Sequence, residues 1–245
     1  MFQFFTEYEI NSDTALITGT DVNHIRNVLR MGQGDEIRIC DIAENIYLAR
    51  IEDIDTDEVR VRIISRQETS NELSARINIY QALPKGDRMD TIIQKTTELG
   101  ICRIVPVRMK HCVVKLDDKK AEAKTKRYEK IAQSAAKQCK RNFIPKVEPV
   151  MDFNDAVDEA FSRGRVIVPY EHAGGMDDTK RVFESIEADG NISYFIGPEG
   201  GFDDTEIESL ISKGADVISL GKRILRTDTA AITTLSLIMY HLEIL

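Results

Sequence analysis

The chain of 245 residues contains no tryptophan and only 14 glycines, 6 prolines, 4 cysteines and 4 histidines, and each shortage closes off a class of protein. Few glycines and prolines exclude a fibrous or low-complexity chain, and 42% hydrophobic residues supply ample material for a core. Cys40, Cys102, Cys112 and Cys139 form no CxxC pair, and His24, His111, His172 and His241 stand singly, so neither a disulfide framework nor a metal site is expected. No run approaches the ~18 consecutive apolar residues of a membrane span. The opening residues, MFQFFTEYEI, have no basic stretch ahead of the apolar ones and no small-residue cleavage site. These absences describe a cytoplasmic protein, built as one large domain or as a small and a larger one. With 7% aromatics there is also no evident stacking platform for bases, so a nucleic acid would be held chiefly through its phosphates.

Acids outnumber bases, 41 to 33, for a net charge of −8, but the positive charge is concentrated. Between Arg103 and Lys146, ten lysines and four arginines face only Asp117, Asp118, Glu122 and Glu129, an excess of ten positive charges that leaves −18 on the remainder. Such a segment is either a footprint for a polyanion or a solvated helix face. Lys120, Lys124, Arg127, Lys137 and Arg141 recur at helical spacing along one face, and Tyr128, Ile131, Ala132, Ala135, Ala136 and Cys139 along another, so one side packs while the other is basic.

The pattern along the chain changes near residue 70. Before it lie short alternating strands at Glu36–Asp41, Ile46–Ile51 and Val59–Ile64 and one helical stretch, Asp21–Leu29, capped by Asp21, which together suggest a small β-barrel over residues 1–70. The polar segment Arg66–Ser74 reads as a linker. Residues 75–245 alternate strands with helices, the signature of an α/β layer with a mainly parallel sheet. The strands are expected at Ile77–Leu83, Arg103–Val107, Arg165–Val168, Ile192–Ile196 and Val217–Leu220. The helices are expected at Asp87–Leu99, Lys119–Cys139, Asp152–Ser162, Lys180–Ala188, Asp204–Lys213 and Thr229–Leu242.

Three strand ends carry the residues that suggest chemistry. Ile196 runs into Gly197-Pro198-Glu199-Gly200-Gly201, and Asp203 and the acids after it then start a helix. Glycines at the carboxyl end of a parallel strand let backbone approach a ligand, although a tight turn would use the same residues. The loop fits neither dinucleotide nor triphosphate motifs. Leu220-Gly221 leads into Ile224-Leu225, able to wall a flat apolar ring, with Arg226 and Asp228 at the mouth as site groups or as a plain salt bridge. Val168-Pro169-Tyr170-Glu171 supplies a further wall, and three strand ends converging on one cavity outweigh any one of them.

Taken together, His24–Met31, Lys85–Met89, Gln94–Gly100, Gln138–Arg141 with Pro145, Ile196–Gly201 and Leu220–Ala230 resemble, in order and over nearly the whole chain, the RsmE family of 16S ribosomal RNA (uridine N3)-methyltransferases of the SPOUT class. The resemblance implies a PUA-like RNA-binding barrel over 1–70 and, over 75–245, an α/β domain ending in a trefoil knot, with the knotted helices pairing two copies. It implies that Val168–Glu171, Ile196–Gly201 and Leu220, Gly221, Ile224 and Leu225 hold S-adenosyl-L-methionine. Methylation of uridine N3 on the small ribosomal subunit would then be served by Arg226 and Asp228, the latter standing where the family usually has Glu. Arg26, Arg30, Lys85, Arg88, Lys95, Lys124, Arg127, Lys137 and Arg141 are the expected RNA contacts. Two alternatives remain: a ribosome-assembly factor that binds RNA without methylating it, which would keep the barrel and the basic helix but need no glycine-edged pocket, and a small-molecule enzyme using another adenosine-containing cofactor, which would keep the pocket but need no basic segment.

Overall fold

The computed structural model describes residues 1–68 and 70–244. It divides into two compact units, Met1–Glu72 with Ala136–Ile144, and Leu73–Ala135 with Pro145–Leu245.

The first unit is a five-stranded sheet in the order β1(Gln3–Phe5)-β3(Glu36–Cys40)-β4(Ile46–Ile54)-β5(Glu58–Gln67)-β2(Thr14–Thr18). β1 and β3 are parallel and the other pairs antiparallel. Period-two alternation sends one side of every strand inward: Phe4, Ile17, Ile37, Ile39, Ala49, Ile51, Val59 and Val61 share one core, and the sheet curls around it. Two register shifts between β4 and β5, at Leu48/Ala49 and Ile51/Asp53, add the local twist that curling requires. The expected barrel is thus a curled sheet whose strand path is open, with β1 and β2 as its edges among the described residues. On the β2 edge the Tyr8 hydroxyl accepts from the Leu16 N–H at 2.6 Å and donates to the Leu16 carbonyl at 3.1 Å.

The helical stretch is α1(Thr20–Asn23), prolonged by a π-helical turn over His24–Val28, and it seats Val22 and Ile25 in the core. Asp21 does not cap it. Gly19 holds that position, and Asp21 is buried with its carboxylate on Lys137 Nζ at 2.5 Å. The expected linker is also shorter than its polar composition suggests, because β5 continues to Gln67 and Glu72 binds Arg141 and the Asn142 amide.

The second unit is a parallel sheet ordered β12(Asp216–Ile218)-β10(Arg165–Pro169)-β11(Asn191–Ile196)-β6(Arg76–Ala82)-β7(Arg103–Arg108)-β8(Lys146–Val147), with β9(Met151–Asp152) also paired to β7. Its central strands are buried on both faces, which is why they read as nearly continuous apolar runs. Tyr80 and Phe195 stack across β6 and β11 with ring centroids 4.7 Å apart. The helices are α2(Arg88–Glu98), α3(Asp118–Cys139), α4(Phe153–Arg163), α5(Met176–Glu184), α6(Asp204–Ser212) and α7(Thr227–Ile244). α4 packs on β7, β10 and β11, and α7 on α2 and β11. β12 ends at Ile218, two residues before the expected strand end, so Ser219 and Leu220 join the loop that follows. Because the strands are parallel, the loops leaving β6, β10, β11 and β12 all emerge at the carboxyl rim, where open sheets of this kind hold ligands.

Candidate active site

Two adjoining cavities lie at that rim. The larger, of about 560 Å³, is lined by Arg88, Pro169, Glu171, Ile196 to Phe202, Ile224 to Thr227 and Ala230. The smaller, of about 180 Å³, is lined by Pro169 to Glu171, Ser219 to Leu225 and Ala230. Pro169, Glu171, Ile224, Leu225 and Ala230 belong to both. Every residue expected to hold the cofactor therefore lines one cavity or the other, save Val168. That side chain is fully buried in the sheet core with Val166 and Phe195, because alternation along β10 turns it to the sheet face that carries Val166.

The glycine loop is braced from several sides. Gln81 Nε2 donates to Thr227 Oγ1 at 2.9 Å, and that hydroxyl donates to the Gly197 carbonyl at 2.8 Å, so the start of α7, strand β6 and the loop are tied in series. Gly201 has φ +74, a conformation in which a side chain is strained, and a Cβ at Gly200 would stand 3.1 Å from that of His111. Behind the loop, Asp203 accepts from the Thr205 N–H while Glu206 accepts from the Asp203 N–H, a capping box that starts α6. Lys110 Nζ reaches Asp203 at 2.7 Å, and its backbone N–H donates to Glu206 at 2.8 Å. Hydrogen bonds from the Lys110 ammonium and from the Thr205 hydroxyl and amide hold the Asp203 carboxyl far below the ordinary carboxylate range.

The charged groups are arranged differently from the sequence expectation. Arg226 is exposed on the cavity wall, and the cation facing Asp228 is Arg88, with Nε 3.9 Å from Asp228 Oδ1. Arg88 Nη1 binds Glu199 Oε1, which also accepts the Lys85 N–H at 2.9 Å. Partial burial opposes the charge on Glu199, but hydrogen bonds from the amides of Lys85 and of Glu199 itself, and from Arg88, keep its carboxyl below the usual range. Thr227, His111 and Lys110 were not singled out from the sequence. Their partners lie some 30 to 146 residues away along the chain, a separation that no local pattern records.

The expected RNA contacts divide. In the first unit Arg26 and Arg30 are exposed, Arg30 at φ 53 directly beyond the π-helical turn. Lys137 and Arg141 are not surface cations. Lys137 pairs with Asp21 and lies 5.7 Å over the Phe4 ring, and Arg141, 3% exposed, is bound to Glu72. In the second unit Lys85 is exposed and Lys124 half-buried, whereas Lys95 pairs with Glu98 and Arg127 with Asp90. The basic stripe of α3 is thus largely matched by acids, and Arg141 falls beyond its end.

Comparison with known proteins agrees with this geometry. The RNA methyltransferase domain family matches residues 71–239, and the RNA methyltransferase PUA domain family matches residues 17–64. Ribosomal RNA small subunit methyltransferase E of Bacillus subtilis is 37% identical over 235 residues, covering 95% of this chain and 92% of the relative. A methyltransferase from Legionella pneumophila, solved in complex with the bound cofactor SAM, superposes with a TM-score of 0.85 at 31% identity, over 98% of this chain and 97% of the other. The ribosomal RNA small subunit methyltransferase E of Neisseria gonorrhoeae, bound to S-adenosyl methionine, gives a TM-score of 0.84 at 29% identity over 96% and 95%. On two domain families and a relative matched over nearly its full length, the chain belongs to the ribosomal RNA small subunit methyltransferase E family.

Proposed function

We propose that the protein transfers a methyl group from S-adenosyl-L-methionine to N3 of a uridine in the 16S RNA of the small ribosomal subunit. The observation that carries this reading is the pair of joined cavities built from three strand-end loops. Their chemistry suits the cofactor: Pro169, Ile224, Leu225 and Ala230 offer an apolar slot for a flat ring, and the Glu171 carboxylate at the junction suits a cationic group. The larger volume lies within the ~300–1,000 Å³ of ligand pockets. Bound there, the cofactor supplies an electrophilic methyl on a positively charged sulfur. The chain's own residues then align the acceptor and manage its proton: Asp228 takes the N3 proton, Arg226 at the rim holds a neighbouring phosphate, and the glycine loop keeps the cavity in shape. An assembly factor that only binds RNA has no use for the braced loop.

Residues 1–70 serve in this reading as the PUA-like RNA-binding domain, with Arg26 and Arg30 on its surface, and residues 75–245 as the SPOUT domain, with exposed Lys85 and half-buried Lys124 toward RNA. The C-terminal segment is threaded as a trefoil knot, in keeping with a chain that leaves the edge strand β12 and returns to pack α7 on β11 at the sheet's centre. α7 buries one stripe, Ala231, Leu235, Ile238 and Leu242, yet leaves Tyr240 and Ile244 exposed, which suits pairing with a second copy. No described helix is long and apolar enough to cross a membrane, and an RNA substrate places the work in the cytoplasm.

Calorimetric titration with S-adenosyl-L-methionine, followed by incubation with unmodified small subunits and mass mapping of the RNA, tests the reading. Saturable binding and a single added methyl on a uridine base are expected. Absence of cofactor binding would overturn it in favour of the assembly factor, and binding without RNA methylation in favour of an enzyme with another acceptor.

A further inference from the structure

We infer that Arg88, rather than Arg226, is the cation that carries the acceptor ring through methyl transfer, and that Arg88 with Asp228 makes the site selective for a ring N–H flanked by carbonyl groups. The inference deepens the function proposed above and rests on it.

Arg88 opens α2 directly after the turn at Gly86, whose φ is +62, and its guanidinium lines the larger cavity. It is held there by a fixed partner, since Glu199 is itself anchored by the Lys85 N–H. It is also far from saturated. A guanidinium has five N–H donors, and Glu199 is its one hydrogen-bond partner among the described residues. Asp228 Oδ1, buried and without any hydrogen-bond partner among the described residues, faces Nε at 3.9 Å, which is too long for a hydrogen bond. The structure thus places surplus donors next to a surplus acceptor. Arg226 is exposed and has no such partner among the described residues to orient it, so it would have to be ordered anew at each encounter.

A donor beside an acceptor is the complement of an imide edge. The uracil N3–H donates to the Asp228 carboxylate, whose side chain is 27% exposed although Oδ1 itself is buried, while an adjacent carbonyl accepts from Arg88. As the N3–C bond forms, the methyl–sulfur bond breaks and its electron pair returns to sulfur. The N3 proton passes to the Asp228 carboxylate ahead of this step, the negative charge it leaves on N3 and the ring oxygens is met by the guanidinium, and methylation returns the ring to neutrality. Cytosine fails on the first count, because its N3 carries no proton to donate to Asp228, and it offers the guanidinium one adjacent carbonyl where uracil offers two.

The test compares Arg88→Gln, Arg88→Lys and Arg226→Gln with the wild-type full-length chain in single-turnover methylation across pH, on whichever nucleotide mass mapping shows the wild type to methylate. Arg88→Gln is expected to lose about 10²-fold or more in rate, the scale of removing one anion-stabilising donor. Cofactor titration and melting temperature should be retained, and the rise of rate with pH should move to higher pH because the ring anion is less stabilised. Arg88→Lys should regain part of the rate, and Arg226→Gln should act on the half-saturating RNA concentration. Wild-type turnover in Arg88→Gln, or a slower rate with an unmoved pH profile, would reduce Arg88 to a brace for Glu199 and overturn the inference. A wild-type product other than a methylated uridine would instead overturn the functional reading, and the Arg88 comparison would still be read on that product.

Discussion

Arg141 carries a full charge at 3% exposure, and such a charge persists only when it is matched. Its Nε donates to Glu72 Oε2 at 2.7 Å, and its guanidinium lies 4.7 Å from the Phe143 ring centre. Removing one partner of a buried pair strands the other, at a cost of about 3–5 kcal/mol, whereas replacing both by apolar side chains is often near neutral. Arg141→Met is therefore expected to lower unfolding stability in urea by that amount, and the double variant with Glu72→Met to recover most of it. An Arg141→Met protein of wild-type stability would return the residue to the surface role its sequence position suggested. The same contrast explains what the sequence could show at this scale. Gly197, Gly200, Gly201 and Gly221 are legible because glycine at a strand end has a local conformational meaning, and they do line the cavities. A cation has no such local meaning. Whether Lys137, Arg127 or Arg88 is available depends on Asp21, Asp90 and Glu199, which are remote in the chain.

Helix α6 shows the reach of pattern at the scale of an element. Asp203 and Glu206 announced its start, and the capping box is present. The folded pKa of Asp203 lies below the ordinary value of 3.8, so its contribution to stability is present above that value and is lost as pH falls through the lowered folded one. Melting temperature plotted against pH for Asp203→Asn, which keeps the cap but not the charge, should lie below wild type at neutral pH and converge with it in acid. A constant gap between the curves would mean that the carboxylate's charge contributes nothing. The elements that escaped the sequence reading are β1, β2, β8 and β9, of three, five, two and two residues. β1, β8 and β9 are too short to show a repeat of their own and exist because a neighbouring strand supplies the ladder, whereas β2 alternates inward Ala15 and Ile17 with outward neighbours and was legible in principle.

For the molecule as a whole, net charge and RNA binding stand opposed until the cations are sorted by partner. Arg26 and Arg30 of the first unit are exposed, and among the described residues neither forms a side-chain ion pair of the kind that consumes so many of the basic residues of α3. Every phosphate that the protein no longer neutralises should flatten the dependence of log affinity on log salt by about 0.7–0.9. Arg26→Gln with Arg30→Gln is accordingly expected to reduce that slope by between one and two in filter-binding titrations with ribosomal RNA. An unchanged slope would place the RNA elsewhere. The two-part organisation and the parallel sheet were legible at this scale, because the change from alternation to helix–strand repeats is a property of long stretches. The proposed threading of the C-terminus is not legible in this way, since periodicity describes a segment and a knot would describe the path of the whole chain.

The hydroxyl of Tyr8 has a meaning beyond the chain itself. By taking both backbone groups of Leu16 on the rim of β2, it occupies the hydrogen-bonding positions to which a strand from another molecule would add. Tyr8→Phe frees those groups to solvent, where water can serve them, so the melting temperature should barely move. The difference should emerge on concentration: light scattering is expected to show the variant self-associating at lower protein concentration than the wild type. A single exposed phenol would then govern how densely the protein can be packed without its sheets joining end to end.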